Sequence, residues 1–146
     1  DVPGISAKIF GVLSDNNINV DMIVQNISQD GIKANITFTV QANDMKLSKK
    51  LLEDNKSLIK YNSLSTNDEV SKISVIGVGM RSQSGVAQKM FQTLASKQIN
   101  ILAISTSEIK ISVLIEKKYT EKAVKSLHEV YKLNWICYWF DLGLFM

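Results

Sequence analysis

Two stretches of the chain predict amphipathic helices. In the first, between about residues 4 and 16, the large apolar residues recur at i, i+4, i+5 and i+8, as on one helix face: Ile5, Ile9, Phe10 and Leu13. The same face recurs 81 positions later, where Val86, Met90, Phe91 and Leu94 correspond to those four residues in order. Each helix begins at a glycine, so its first backbone N–H groups point forward without a partner.

Polar and apolar residues alternate after each helix, which predicts β-hairpins. In the first copy INVDMIVQNIS leads through Asp30-Gly31 into IKANITFTV, where every second residue is apolar. An Asp-Gly pair between two such runs is a strong hairpin signal, with one face of the sheet buried. The second copy reads INILAISTS and then EIKISVLIE, with the same period of two.

A second helix follows each hairpin. These helices are predicted from Met45 to about Asn55 and from Thr120, a candidate N-cap, to Lys132. The apolar residues of the earlier helix are Leu47, Leu51 and Leu52. The segment Ser71–Gly79 predicts a strand before the second copy, and SLIKYNSL predicts a weaker strand that closes the first. The result is an α+β fold, with two helices on one face of an antiparallel βαββαβ sheet.

The repeat predicts two tandem ferredoxin-like βαββαβ units. We expect unit 1 at residues 1–66, unit 2 at residues 67–134 and an apolar tail at residues 135–146. Unit 1 lacks its opening strand in this sequence, so we expect the chain to be a fragment or the missing strand to come from elsewhere. Units of about 70 residues bury little surface alone, so we also expect pairing.

The composition restricts the partners of the chain. With 45% hydrophobic and 21% charged residues, it is typical of a soluble globular protein. The net charge of +3 comes from scattered lysines, without the stripe of basic and aromatic residues expected of a nucleic-acid interface. The longest apolar run, WICYWF, is far shorter than the ~20 residues of a membrane span. The single cysteine, Cys137, excludes an internal disulfide, and we expect a cytoplasmic protein.

No constellation of catalytic residues is visible in the sequence. His128 is the only histidine and has no Cys or Asp at ligand or triad spacing. The segment GVGMRS lacks the third glycine of a dinucleotide fingerprint, because Ser82 occupies that position. The sequence therefore predicts no catalytic site, no metal and no cofactor.

Two features of each copy suit a zwitterionic ligand. Helix starts bind carboxylates through free N–H groups and the helix dipole. The strand after each first helix begins Ile-Asn and carries polar groups, Asp21 and Gln25 in one copy and Ser107 and Glu108 in the other. The alternative is that Ile-Asn is only a helix-to-strand turn, with asparagine at left-handed angles. Spacing alone leaves both interpretations open.

These segments resemble the tandem ACT regulatory region of aspartate kinase. The resemblance covers residues 1–133 and is most specific at INVDMIVQN and INILAISTSEIKISVLI. It implies feedback inhibition by lysine, threonine or both, with ACT units paired side by side within a chain or across a homodimer and the effector between them. It also implies a kinase catalytic domain or subunit as a partner. The apolar tail departs from the polar ending of the family, and covering an exposed edge, forming an interface and a frameshift all remain open.

The resemblance further implies which residues contact the effector. In unit 1 they are Asp1, Gly4, Ser6, Ile18, Asn19, Val20, Asp21 and Gln25. In unit 2 they are Met80, Ser82, Gly85, Val86, Asn100, Ile101, Ser107 and Glu108. Family members usually have alanine in place of Ser6, so the preference of the first site stays open.

Chemistry suggests a role for each group. Backbone N–H groups near Gly4 and Gly85 are expected to hold the effector's carboxylate. Main-chain groups that would pair with the effector's own backbone belong to Asn19, Val20, Asn100 and Ile101. Asp21, Gln25 or Glu108 is expected to receive an ammonium or hydroxyl side chain. That last group should decide which amino acid is accepted, since a buried unpaired charge is costly.

Two other functions are considered beside a sensor. One is a ligand-independent dimerisation module of the same family. The other is an RNA-recognition module, which has the same order of elements but needs two or three aromatic residues on its central strands. ITFTV offers only Phe38 and ISVLI offers none, so RNA binding is the weakest of the three hypotheses.

Overall fold

The computed structural model describes residues 3–28, 34–77 and 85–132, and the backbone of residues 136–145. The chain divides into two compact units. Unit 1 runs to Asp68 and includes the chain from Leu142 onward, whereas unit 2 runs from Glu69 to Asp141. The predicted turn at Asp30-Gly31 lies outside the described residues, as does Gly79.

Unit 1 contains the first copy of the repeat. Its elements are α1 (Ile5–Ser14), β1 (Val20–Ile27), β2 (Ala34–Gln41), a 3₁₀ turn (Ala42–Asp44), α2 (Met45–Asp54) and the short α3 (Lys56–Ile59). Strands β1 and β2 are antiparallel, from the pair Val20–Val40 to the pair Ile27–Ala34. The hairpin predicted from the alternating pattern is therefore present.

Unit 2 contains the second copy. Its elements are β3 (Thr66–Ile76, which begins just before the unit boundary), α4 (Val86–Ser96), β4 (Ala103–Thr106), β5 (Lys110–Glu116), a 3₁₀ turn (Lys117–Tyr119) and α5 (Thr120–Tyr131). The last strand, β6 (Ile136–Phe145), begins in unit 2 and belongs to unit 1 from Leu142 onward. Strand β5 is central, with β3 on one side and β4 on the other, both antiparallel to it. The strand predicted ahead of the second copy is confirmed.

The two repeated helix faces are the centres of two separate cores. In unit 1, Ile9 and Leu13 of α1 are buried with Phe38 and Val40 of β2. In unit 2, the corresponding core contains Val86, Met90 and Leu94 of α4 with Ile111, Val113 and Ile115 of β5. The period of 3.6 in the helices therefore predicted their buried faces correctly. The period of two did not predict the burial of β5, because Ser112 and Leu114 on its other face are buried as well.

Three local predictions were wrong. The segment SLIKYNSL is not a strand, because α3 continues to Ile59, which is 1% exposed, and Lys60 then adopts a left-handed conformation at φ 62°. Leu47 does not belong to the buried face of α2 and is 47% exposed, since Met45, Ser48 and Leu52 form that face. Thr120 is the first helical residue of α5 and not its N-cap, which is Tyr119.

The tail supplies a strand to unit 1. Leu142–Phe145 of β6 pair antiparallel with Phe38–Gln41 of β2. In unit 2 the opening strand β3 pairs in the same antiparallel way with β5, the counterpart of β2. Strand β6 thus occupies beside β2 the position that β3 occupies beside β5. The C-terminal segment therefore covers the edge of β2.

Candidate ligand-binding site

Both α1 and α4 begin at a glycine that no side chain caps. Gly4 and Gly85 are the N-cap residues, with φ of 91° and 95°. The first helical hydrogen bonds are donated by Lys8 to the Gly4 carbonyl (3.1 Å) and by Lys89 to the Gly85 carbonyl (2.9 Å). The amides ahead of Lys8 and Lys89 therefore have no acceptor within the helix and carry its positive dipole end. A Cβ built on either glycine meets nothing within 4 Å, so among the described residues this space is open.

The two helices also end in the same way. Asn17 and Gln98 have a φ of 57°. The next residues, Ile18 and Ile99, donate their N–H to the carbonyls of Leu13 and Leu94, each at 3.0 Å. This is the Schellman arrangement, in which a left-handed residue closes the helix and an apolar residue follows it. The left-handed residues are thus Asn17 and Gln98, which precede the Ile-Asn pairs. A need for left-handed angles therefore does not explain the asparagines of those pairs, Asn19 and Asn100.

Each helix separates the predicted site residues of its unit into two groups. The ten residues of α1 span about 15 Å, since an α-helix rises 1.5 Å per residue. The bond from Ile18 to Leu13 places the end of α1 next to the start of β1. Midway along, the Phe10 ring lies 5.4 Å from the ring of Phe38, whose partner in β1 is Ile23. Strand β1 therefore runs back along α1, and its far end lies toward the helix start.

In unit 1 the residues near the helix start are called the helix-start half-site, and those after its end the helix-end half-site. The helix-start half-site consists of Gly4, Ser6 and Gln25, of which Ser6 is half-buried and the others are exposed. The helix-end half-site consists of Ile18, Asn19, Val20 and Asp21, of which Ile18 is buried, Val20 is half-buried and the polar pair is exposed. Asp1 lies outside the described residues.

Unit 2 has the same division. The Gly77 amide donates to the carbonyl of Ile109 at 3.0 Å, so the β4–β5 turn lies at the end of β3 that leads to α4. The helix-start half-site of unit 2 therefore consists of Gly85, Val86, Ser107 and Glu108. Its helix-end half-site consists of Asn100 and Ile101, of which Asn100 is exposed. Met80 and Ser82 lie outside the described residues.

The polar residues of the β4–β5 turn have partners within the chain. The Ser107 amide donates to the Lys110 carbonyl at 2.7 Å, and its hydroxyl approaches the same oxygen at 3.4 Å. Ser107 therefore closes the turn, which is a structural role independent of any ligand. Glu108 is exposed and also takes part in an interaction within the chain.

One residue beside the unit 1 half-sites was not predicted from the sequence. The β1–β2 register shifts between Val20 and Ile23, so Asp21 and Met22 together lie opposite Thr39. Thr39 is fully buried, and its hydroxyl oxygen accepts the Met22 N–H at 3.1 Å. In the sequence Thr39 is one of several polar residues that alternate with apolar ones along β2. The bulge opposite it is visible only in the register of the β1–β2 pair.

Other potential sites are not supported by the described residues. No helix among them has the length and apolar character needed to cross a membrane. No group of three or more His, Cys, Asp or Glu side chains in those ranges is arranged to hold a metal ion. Phe38, the one aromatic residue considered for RNA stacking, is 3% exposed and packs against Phe10, so it cannot stack on a base.

Tyr61 and Lys118 are titratable side chains with a raised pKa. Burial raises the pKa of the Tyr61 hydroxyl, and the nearby Glu53 charge raises it further. A hydrogen bond with Glu116 raises the pKa of the exposed Lys118 ammonium.

The sequence profile of the ACT domain family matches residues 1–55 and 73–131. An aspartate kinase of Pseudomonas fluorescens is 46% identical over 134 residues, which are 92% of this chain and 32% of that protein. An aspartokinase of Helicobacter pylori is 49% identical over 134 residues, which again are 92% of this chain and 32% of that protein. The chain thus spans about a third of the length of these relatives.

Solved structures with the same fold cover most of both chains. The crystal structure of aspartokinase alpha and beta subunits superposes with a TM-score of 0.83 at 45% identity, over 91% of this chain and 86% of that chain. The ligand-free regulatory subunit of aspartate kinase from Thermus thermophilus superposes with a TM-score of 0.81 at 36% identity, over 90% and 85%. The predicted α+β class with antiparallel sheets is confirmed. The chain therefore belongs to the ACT domain family, as a tandem ACT regulatory region of the aspartate kinase type.

Proposed function

We propose that this chain is the amino-acid sensor of an aspartate kinase and that it binds lysine, threonine or both for feedback inhibition. The observation that carries the proposal is the duplicated, uncapped helix start at Gly4 and Gly85. Amides of this kind hold a carboxylate, the group that every amino acid presents. Gln25 and Glu108, at the same ends of their units, offer an amide and an acid for a polar side chain.

A complete effector site requires more than one half-site. The helix-start amides and the main chain of the helix-end residues lie about 15 Å apart along each helix, whereas an α-amino acid presents its carboxylate and ammonium on a single carbon. We therefore propose that the helix-start half-site of one copy of the chain is completed by a helix-end half-site of a second copy. Asp21 would then receive a cationic side chain from an effector held by the partner's helix start.

The edge strands support pairing into a homodimer. Ile23 and Ile27 on β1 are 52% and 57% exposed, and Leu102 and Ile104 at β4 are 41% and 46% exposed. Unpaired strand edges with exposed apolar side chains are surfaces for strand addition. A second copy of the same chain offers the same edges, so closed two-fold pairing would bury them.

The catalytic partner is the kinase part of the same enzyme, on the same chain or on a separate subunit. The relatives of this chain are aspartate kinases, and the chain matches about a third of their length. One solved relative is a structure of aspartokinase alpha and beta subunits. Effector binding regulates the kinase only if it favours one arrangement of the two parts. The single cysteine agrees with a reducing, cytoplasmic location.

Isothermal titration calorimetry of the chain with L-lysine and L-threonine tests the proposal. We expect saturable binding of at least one of them, with the D-enantiomers as controls for charge alone. Asp21→Asn or Glu108→Gln should weaken the binding, whereas the matched variants Asp54→Asn and Glu129→Gln, which alter exposed acids on α2 and α5, should not. Absence of heat with both amino acids, from a chain with a folded circular dichroism spectrum, would refute the sensor.

A ligand-independent dimerisation module is the second candidate, because the exposed apolar edges alone are sufficient for pairing. Sedimentation equilibrium with and without effector separates the two. For a sensor whose site spans two copies, binding and dimerisation are linked, so saturating effector should lower the dimer dissociation constant. A dimer that forms equally well at every effector concentration, together with no heat in the titration, would favour the second candidate.

A further inference from the structure

A bulge interrupts β1 at the helix-end half-site of unit 1. Val20 pairs with Val40 and Ile23 pairs with Phe38, so two residues of β1 face one residue of β2. An extra residue of this kind leaves an amide without its ladder partner. The Thr39 hydroxyl takes the place of that partner, since its oxygen accepts the Met22 N–H at 3.1 Å. Met22 is 5% exposed and Thr39 is fully buried, so solvent water does not replace the missing acceptor of the Met22 amide.

Unit 2 has no hydroxyl at the corresponding position. Ala103 is the counterpart of Met22 in the second copy, and its strand partner is Leu114. Leu114 is 1% exposed and has no hydroxyl to offer. Among the described residues, a side-chain acceptor at this position is therefore specific to unit 1.

The acceptor determines the register of the strand on which Asp21 lies. A buried amide without a hydrogen bond is costly. Without the hydroxyl, β1 would regain a partner for Met22 by slipping along β2. A slip of one residue moves each side chain to the other face of a sheet. The slip would therefore turn Asp21 away and would also displace the main chain of Asn19.

We propose that Thr39 is a positioning residue of the unit 1 effector site. Its hydroxyl holds the bulge, and the bulge holds Asp21 and the main chain of Asn19 and Val20 in the orientation that binds the effector. The inference rests on the proposed function. Asp21 already has an interaction within the chain, but a carboxylate has about four lone-pair positions and accepts an ammonium in addition.

The inference predicts an effect that is limited to one unit and to one class of effector. Asp21 attracts a cationic side chain, so Thr39 should matter for the binding of lysine at unit 1. Glu108 and the other half-sites of unit 2 lack this acceptor and should be unaffected. Loss of the hydroxyl should therefore change the preference between lysine and threonine and not weaken both equally.

Three variants of the full chain separate positioning from general stability. Thr39→Val has nearly the same shape and removes the acceptor, whereas Thr39→Ser retains it. Ser48→Ala is the matched control, because Ser48 is fully buried in the same unit and donates to the Asp44 carbonyl at 2.7 Å, away from the bulge. Calorimetry with L-lysine and L-threonine, together with thermal unfolding, is measured for each.

We expect Thr39→Val to weaken lysine binding about tenfold, the scale of one buried hydrogen bond. Thr39→Ser should bind lysine within about twofold of the unaltered chain, and Ser48→Ala should lower the melting temperature without changing the affinity. In the double variant with Asp21→Asn, the further loss of lysine affinity from Thr39→Val should be smaller than in the unaltered chain, since Thr39 acts in part through Asp21. A purely structural Thr39 would instead give additive losses.

The outcomes distinguish this inference from the proposed function. If the unaltered chain binds neither amino acid, the sensor itself is refuted. If it binds lysine and Asp21→Asn weakens the binding while Thr39→Val does not, the sensor stands and the role of Thr39 is refuted. Hydrogen exchange of the Met22 amide needs no variant and applies even if Thr39→Val does not fold. Protection comparable to that of ladder amides supports the role, and rapid exchange refutes it.

Discussion

A buried hydroxyl connects the last turn of α5 to the first turn of α4. The Tyr131 hydroxyl donates to the Val86 carbonyl at 2.7 Å, and Tyr131 is only 5% exposed. The Lys89 ammonium lies 5.4 Å from the centre of the same ring. Tyr131→Phe keeps the ring beside Lys89 and removes the hydroxyl, so it measures what that hydroxyl contributes to stability.

The expected loss is about 1 kcal/mol. A net intramolecular hydrogen bond contributes about 0.5–1.5 kcal/mol, and an acceptor left wholly unsatisfied costs more. The Val86 carbonyl also accepts a helical N–H four residues further on, so it is not left without a partner. For a chain of this length, a loss of about 1 kcal/mol lowers the melting temperature by roughly 3 °C.

Urea denaturation followed by circular dichroism measures the change, and Tyr61→Phe is the matched control. The Tyr61 hydroxyl lies 3.3 Å from the Leu52 carbonyl and Tyr61 is half-buried, so its removal should cost less, about 0.5 kcal/mol. If Tyr131→Phe lowers the free energy of unfolding no more than Tyr61→Phe does, the reasoning is wrong. The burial of the tyrosine and the donor–acceptor distance would then not determine how much each hydrogen bond stabilises the fold.

Three further predictions follow from burial, backbone conformation and charge. Leu94→Ala should cost about 2–5 kcal/mol in urea denaturation because Leu94 is fully buried, whereas the exposed Leu47→Ala should cost about 0.5 kcal/mol or less. Gly85→Ala should cost about 1–2 kcal/mol, since a φ of 95° strains an L-residue even in open space. The raised pKa of Tyr61 favours the protonated folded chain, so stability should fall as the pH rises above about 10. A matching alkaline denaturation curve for Tyr61→Phe would contradict that assignment.

Local patterns predicted the elements that depend on near neighbours. The spacing of Ile9 and Leu13 identified the buried face of α1, because residues three and four apart share a helix face. The alternation around Phe38 identified the hairpin for the analogous reason. The pattern failed at Leu47 and at SLIKYNSL, where packing against the core and the left-handed Lys60 overruled local preference.

The predicted site was recognisable as a set of residue types but not as a geometry. Gly4 and Gly85 were identified as helix starts, and the structure places both as uncapped N-caps. Their distance from Asn19 and Asn100 was not apparent, because positions along a chain do not show that a helix about 15 Å long lies between them. Thr39 was missed because its partner, the Met22 amide, is 17 positions away in sequence.

The sequence by itself determined the duplication, the helix faces, the strands of each hairpin and the glycines that start the two helices. These depend on contacts within a few residues, which periodicity records. Only the tertiary structure decided that β6 pairs with β2, that the Thr39 hydroxyl accepts the Met22 amide at a bulge beside Asp21, and that the predicted site residues of each unit fall into two separated groups. Those features depend on hydrogen bonds between distant segments, and a one-residue change of register alters them without any change in the pattern of apolar residues.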